Sequence, residues 1–168
     1  LNICVLGTAL VHYLHPERPR EHLQDLAQGF LLHDIGKIDI PSEIWTKPDK
    51  LTESERELVQ KHPLYGFQRI EKFERISEEA RRIVLHHHEH CDGTGYPFGL
   101  SAEEISEAAR ICAIIEPFDD LTSDRPYHRR VTVFQALQTM KEEGMQRYDF
   151  DLYKAFLHFF RDVSNPGH

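Results

Sequence analysis

Residues 77–90 read Ser-Glu-Glu-Ala-Arg-Arg-Ile-Val-Leu-His-His-His-Glu-His. Ser77 is a residue type that caps helix N-termini, and Ala80, Ile83 and Val84 recur at the spacing of one buried helical face. Advancing one turn from Ile83 and Val84 lands on His87 and His88, so two imidazoles continue an apolar stripe into the interior. Buried imidazoles require partners, and metal or carboxylate supplies them. His86 and His90 fall on another face and read as solvated or supporting residues. A competing reading has all four histidines simply ending the helix.

The same periodicity extends outward over nearly the whole chain, and no stretch alternates with period two for long enough to make a sheet. The fold class is therefore all-α, a compact helical bundle. The pattern predicts helices over 2–14, 21–33, 52–62, 65–73, 77–90, 101–121, 132–144 and 150–163. A single turn is expected at 42–45. Thr52 with Glu55 and Ser101 with Glu104 have capping-box spacing, and Thr132 opens a further helix. Pro63 either kinks a helix or starts a new one. Residues 91–99, Cys-Asp-Gly-Thr-Gly-Tyr-Pro-Phe-Gly, form a glycine-rich connecting loop.

The 168 residues carry 20 basic and 28 acidic side chains, a net charge of −8, with 40% apolar residues. That is one domain, long enough to bury roughly 70% of the surface its unfolded chain exposes without disulfide or metal support. The acidic balance argues against a duplex nucleic acid partner bound through many phosphates. Cys4, Cys91 and Cys112 suit neither a disulfide framework nor a paired-cysteine zinc site, so a cytoplasmic setting is expected. The apolar run from Ile111 to Ile115 is far short of the roughly 20 residues that span a bilayer. The chain opens at Leu1 in mid-pattern and reads as a single domain over 1–168, excised from a longer protein with an upstream helix or regulatory domain.

Three further features join the histidine stripe. His33-Asp34 stands where Leu31 and Leu32 give way to Gly36, and adjacent imidazole and carboxylate can reach one metal or bridge two; a lone helix-terminal histidine offers a plainer reading. His62 precedes Pro63. Glu116 lies among Ile114, Ile115 and Phe118, where a carboxylate is costly unless a positive group meets it, although Asp119 and Asp120 also allow a solvated acidic edge.

Taken together, His33-Asp-Ile-Gly-Lys37, Lys61-His-Pro63, His87-His-Glu89, Asp92-Gly-Thr-Gly-Tyr-Pro97 and Asp119-Asp-Leu-Thr-Ser-Asp-Arg-Pro-Tyr127 resemble the HD-GYP family of HD-domain metal-dependent phosphohydrolases. The resemblance runs from residue 1 to about 160. It implies a helical bundle that hydrolyses cyclic di-GMP to pGpG, or onward to GMP, with two divalent transition-metal ions. Iron or manganese is preferred, and zinc or nickel would also bind. His33, Asp34, His62, His87 and His88 are the implied metal ligands, with Asp34 bridging and Glu116 added where family members have aspartate. Lys37 and Arg125 are the implied phosphate-binding cations, and Asp34 with Lys37 the catalytic pair. Tyr96 and Asp119 are expected on the substrate side.

The Gly95-Tyr96-Pro97 loop is the implied contact for diguanylate cyclase domains, and a second copy of the chain is a further candidate partner. His128 replaces the arginine or lysine common in the family. A first-helix histidine common in the family would fall at Leu1 or before it. The rival readings are a non-catalytic module that binds cyclic di-GMP or a cyclase domain, and a phosphohydrolase of mononucleotides.

Overall fold

The computed structural model describes residues 2–45, 47, 49–124 and 129–164. The chain runs through α1 (Asn2–Leu14), α2 (Arg20–Leu32), a 3-10 turn (Ile35–Asp39), α3 (Ser42–Trp45), α4 (Glu53–Val59), α5 (His62–Ile70) and α6 (Glu78–His86). It continues through α7 (Glu107–Thr122), α8 (Val133–Gly144), a second 3-10 turn (Met145–Arg147) and α9 (Phe150–Ser164). No strand occurs among the described residues, as the all-α expectation requires. No helix there is long and apolar enough to cross a membrane.

The helices sort by their apolar stripes. Leu10 and Val11 of α1, Leu26 and Phe30 of α2, Ile83 of α6, Ile111, Ile114 and Ile115 of α7, Met140 of α8 and Phe156 of α9 form one core. α2 packs on α1 and α6, and α7 lies against α1, α6 and α8. α5 lies against α6 and the first 3-10 turn, which places the ends of α2 and α6 beside the start of α5. Phe156 joins the core, whereas Phe134 stands 75% exposed on α8.

Capping follows local chemistry at several helix starts. Thr52 and Glu55 complete their reciprocal box, Thr132 does so with Gln135, and Ser77 accepts from Ala80 N–H. Two expectations are corrected. The helix expected to open at Ser101 begins at Glu107 with Ser106 as its cap. Glu104 does bond back to the Ser101 N–H and hydroxyl, but those contacts close an isolated turn, and buried Ile105 separates it from the helix.

The helix expected to reach His90 ends at His86. There the Glu89 N–H bonds to the His86 carbonyl, tightening the chain into a turn. Pro63 starts a new helix: it sits in the first turn of α5, where its missing N–H costs nothing.

Gly36 makes the convergence of these elements possible. A Cβ on it would lie 2.0 Å from the His62 carbonyl oxygen and 2.4 Å from the Gly66 nitrogen. Only glycine lets the backbone after His33-Asp34 approach the first turn of α5 this closely.

Candidate metal centre

Three histidines are presented by one local device. His33 follows the last turn of α2, His62 opens α5 just past α4, and His87 caps α6. Each donates its Nδ1–H to the carbonyl three residues earlier: His33 to Phe30 at 2.8 Å, His62 to Val59 at 2.8 Å and His87 to Val84 at 2.9 Å. The carbonyls of a helix end lack intrahelical partners, so they are free to accept. Because a carbonyl can only accept, the neutral ring carries its proton on Nδ1 and leaves Nε2 as a lone pair.

Those lone pairs converge on Asp34. Its Oδ2 lies 3.3 Å from His33 Nε2, and its Oδ1 lies 3.4 Å from His62 Nε2 and 3.9 Å from His87 Nε2. Asp34, His62, His87 and His88 offer ligand atoms all within 4.8 Å of one another, and His33, Asp34 and Glu116 form a second such group. Asp34 belongs to both. His88 Nδ1 stands 3.7 Å from Glu116 Oε2. The continuation of the Ile83–Val84 stripe into His87 and His88 is thus reproduced, with His87 fully buried.

The donor set fits a cation. His33 Nε2 and Asp34 Oδ1 are buried without a hydrogen-bonding partner, and His62 Nε2 faces His87 Nε2 at 3.1 Å. Two acceptors this close need a proton or a metal ion between them.

The electrostatics of the protein alone point the same way. Burial brings His62 down to about 4. Burial, reinforced by the neighbouring imidazoles, holds His87 and His88 well below the ordinary histidine value, so these rings stay neutral and available. Burial also opposes charge on His33, but the adjacent Asp34 carboxylate outweighs it and raises that ring. Asp34 remains ionised despite burial because His33 and Lys37 flank it. Burial, with Asp34 nearby, pushes Glu116 up to about 7.

Around this centre, Lys37 Nζ contacts Asp34 Oδ2 at 2.6 Å and lies 5.1 Å from the centre of the Trp45 ring. Tyr96 stacks on His88, with ring centres 4.6 Å apart and planes 26° from parallel. A cavity of about 210 Å³ opens beside His87, His88 and Glu116 and is also lined by Asp120 and Arg147. Asp119 stands apart from it. Its carboxylate accepts from Asn2 Nδ2 at 2.9 Å and Ser123 Oγ at 3.2 Å, on a different cavity that includes Val5 and Phe118. Arg125 and His128 lie outside the described residues.

His86 packs edge-on to Phe98, with ring centres 6.0 Å apart, and His90 meets the Thr94 hydroxyl at 3.1 Å. Neither belongs to the two ligand groups, although His90 lines the cavity beside His87, His88 and Glu116. The sequence assigns no role to Glu89, which stands in the His87-His-Glu89 match and is buried below the glycine-rich loop, or to Arg147. Neither carries a periodic signal; the one available hint was a charged residue directly following two inward-facing histidines.

Comparison with known proteins identifies the family and the fold. A family model described as HD domain matches residues 5–152. A Pseudomonas aeruginosa protein named cyclic di-GMP phosphodiesterase is 39% identical over 155 residues, spanning 92% of this chain and 37% of that protein. A Vibrio cholerae protein named 3'3'-cGAMP-specific phosphodiesterase 3 is 41% identical over 130 residues, spanning 77% of this chain and 28% of that protein. The chain therefore corresponds to roughly a third of the length of each relative. Among solved structures, an HDG"Y"P protein of Bdellovibrio bacteriovorus superposes with a TM-score of 0.76 at 22% identity, covering 95% of this chain and 50% of that one. It shares the fold.

Proposed function

This chain belongs to the HD domain family, and on that premise we propose that it is a metal-dependent phosphodiesterase hydrolysing cyclic di-GMP to pGpG, or onward to GMP. The observation that carries the reading is the placement of Asp34 in both ligand groups. Such a carboxylate suits two ions side by side, held by His62, His87 and His88 on one flank and by His33 and Glu116 on the other. Imidazole and carboxylate donors without thiolate favour iron or manganese, and accept zinc or nickel. Bound there, a pair of divalent ions would acidify a water and offset the charge that gathers on the phosphoryl oxygens.

The protein's own groups prepare that chemistry. The Nδ1–H bonds to Phe30, Val59 and Val84 hold three rings with Nε2 facing inward before any ligand arrives. Lys37 stands at the edge of the centre beside Asp34, where its ammonium meets a phosphate oxygen, and Arg125 is assigned the second phosphate contact. Tyr96 covers one face of His88 and borders the substrate. Asp119, expected on the substrate side, is tied to Asn2 of α1 on a different cavity and is assigned no substrate contact.

The Gly95-Tyr96-Pro97 loop is assigned a second partner, a diguanylate cyclase domain, supported by the adjoining Phe98, which is 54% exposed. A reducing cytoplasm suits the three free cysteines.

The test is hydrolysis of cyclic di-GMP and of 3'3'-cGAMP, side by side, by protein loaded with iron(II) or manganese(II). Products are separated by chromatography. Release of pGpG supports the reading. Turnover of 3'3'-cGAMP alone replaces the substrate, and no turnover of either by metal-loaded protein contradicts catalysis.

A further inference from the structure

Glu89 is 1% exposed, and both of its oxygens are used by the backbone of the glycine-rich loop. Oε1 accepts the Phe98 N–H at 2.7 Å and Oε2 the Leu100 N–H at 3.0 Å. Burying a carboxylate costs free energy that charge-assisted bonds of this kind offset. A buried charge spent on two loop amides points to a loop whose position matters.

The loop is fastened to two consecutive residues. Asp92 and Ser101 pair across its neck. Within it, the Tyr96 N–H bonds to the His88 carbonyl at 3.0 Å, while the Tyr96 ring stacks on His88. Contact is so close that a Cβ on Gly95 would lie 2.3 Å from the His90 nitrogen and 2.5 Å from Glu89 Cα. His88 thus holds Tyr96, and Glu89 holds the strand of chain that follows it.

We propose that Glu89 is a positioning residue: by gripping the amides of Phe98 and Leu100 it presses Tyr96 onto the His88 ring and fixes the direction in which His88 faces Asp34, His62 and His87. The consequence for metal rests on the function proposed above; the consequence for the loop does not. Glu89 touches neither substrate nor ligand atoms in this account and acts through Tyr96 and His88.

The test compares Glu89→Gln, Glu89→Ala, Tyr96→Ala and the double variant Glu89→Ala/Tyr96→Ala in the intact chain. Glu89→Gln keeps the volume but sets an amide NH2 against one loop N–H, so it decides the matter if Glu89→Ala fails to fold. In chelator-treated protein, amide hydrogen exchange at Tyr96, Phe98 and Leu100 should accelerate in both Glu89 variants, and the His88 ring-proton resonances should move. Manganese(II) titration calorimetry should show affinity weakened about ten-fold, the scale expected for a supporting shell around ligands. The double variant should be no weaker than Tyr96→Ala alone, because both substitutions break one linkage.

Unchanged exchange and unchanged His88 resonances in folded Glu89→Gln would overturn the proposal. So would full addition of the two losses in the double variant. If wild type binds no manganese(II), the proposed function fails, while exchange and resonances still decide the role of Glu89.

Discussion

His62 Nε2 and His87 Nε2 face each other at 3.1 Å, each ring with its Nδ1–H bonded to a backbone carbonyl. Neutral rings held this way present two acceptors to the same point. Such an arrangement is destabilised in the protein alone and relieved by a cation, which ties folding to metal binding.

Burial of the histidine rings sets a pH dependence for the metal-free protein. His62 titrates near 4 in the folded chain, below the ordinary histidine value of about 6.5. Between those values the unfolded chain binds more protons, so stability is complete above about pH 6.5 and is lost as pH falls through about 4. The loss from this ring is on the order of 3 kcal/mol, and His87 and His88 add in the same direction. Glu116, raised to about 7, has the opposite sign: its contribution is complete below its unfolded value and is lost as pH rises through about 7. Urea unfolding of chelator-treated protein from pH 4 to 8 checks this, and Glu116→Gln should remove the decline on the alkaline side.

Gly36→Ala should destabilise the fold by about 3 kcal/mol, the upper range for overpacking a tight contact. The added methyl would have to displace the backbone of His62 and Gly66. Urea unfolding measures it, and metal affinity should fall with it because the first 3-10 turn and α5 move apart. A stable, metal-binding Gly36→Ala variant would show that this close approach does not set the centre.

The four-histidine segment separates by substitution. His87→Ala should lose metal, since its Nε2 belongs to the ligand group. His86→Ala should keep it: that ring faces Phe98, and its Nδ1 has no hydrogen-bonding partner to lose. Metal analysis of the two variants after identical loading distinguishes them, and equal losses would contradict the orientation of this helix end.

Arg125→Ala should raise the Michaelis constant for cyclic di-GMP and weaken its equilibrium binding by about 1.5–3 kcal/mol, the worth of a hydrogen bond to a charged group. Metal content should not change. Calorimetry with intact cyclic di-GMP on metal-loaded protein carrying a non-hydrolysing substitution reads the affinity, and an unaltered value removes Arg125 from the phosphate site.

Much of the fold was legible because short-range chemistry decides it. Ser77, Thr52 and Thr132 cap the helices their spacing announces, and Ile83 and Val84 carry the register that brings His87 and His88 inward. What escaped depends on longer range. Ser101 and Ser106 both offer capping oxygens, and the burial of Ile105 between them decides which one starts α7. Asp119 and Asp120 are adjacent in sequence but about 100° apart around a helix; only packing against α1 sends Asp119 to Asn2 and leaves Asp120 beside the histidines. Glu89 stands in a motif match, but its role was not legible because its partners are the backbone amides of residues 98 and 100, which carry no side-chain signature.

The measurement that tests the central claim most directly is the metal content of the protein and of Asp34→Ala, each loaded with manganese(II) or iron(II), desalted and analysed by mass spectrometry. Asp34 is the carboxylate common to both ligand groups. The account predicts two ions per chain in the wild type and loss of both on substitution, with circular dichroism unchanged. A wild type that holds none, or an Asp34→Ala variant that keeps two, would contradict it.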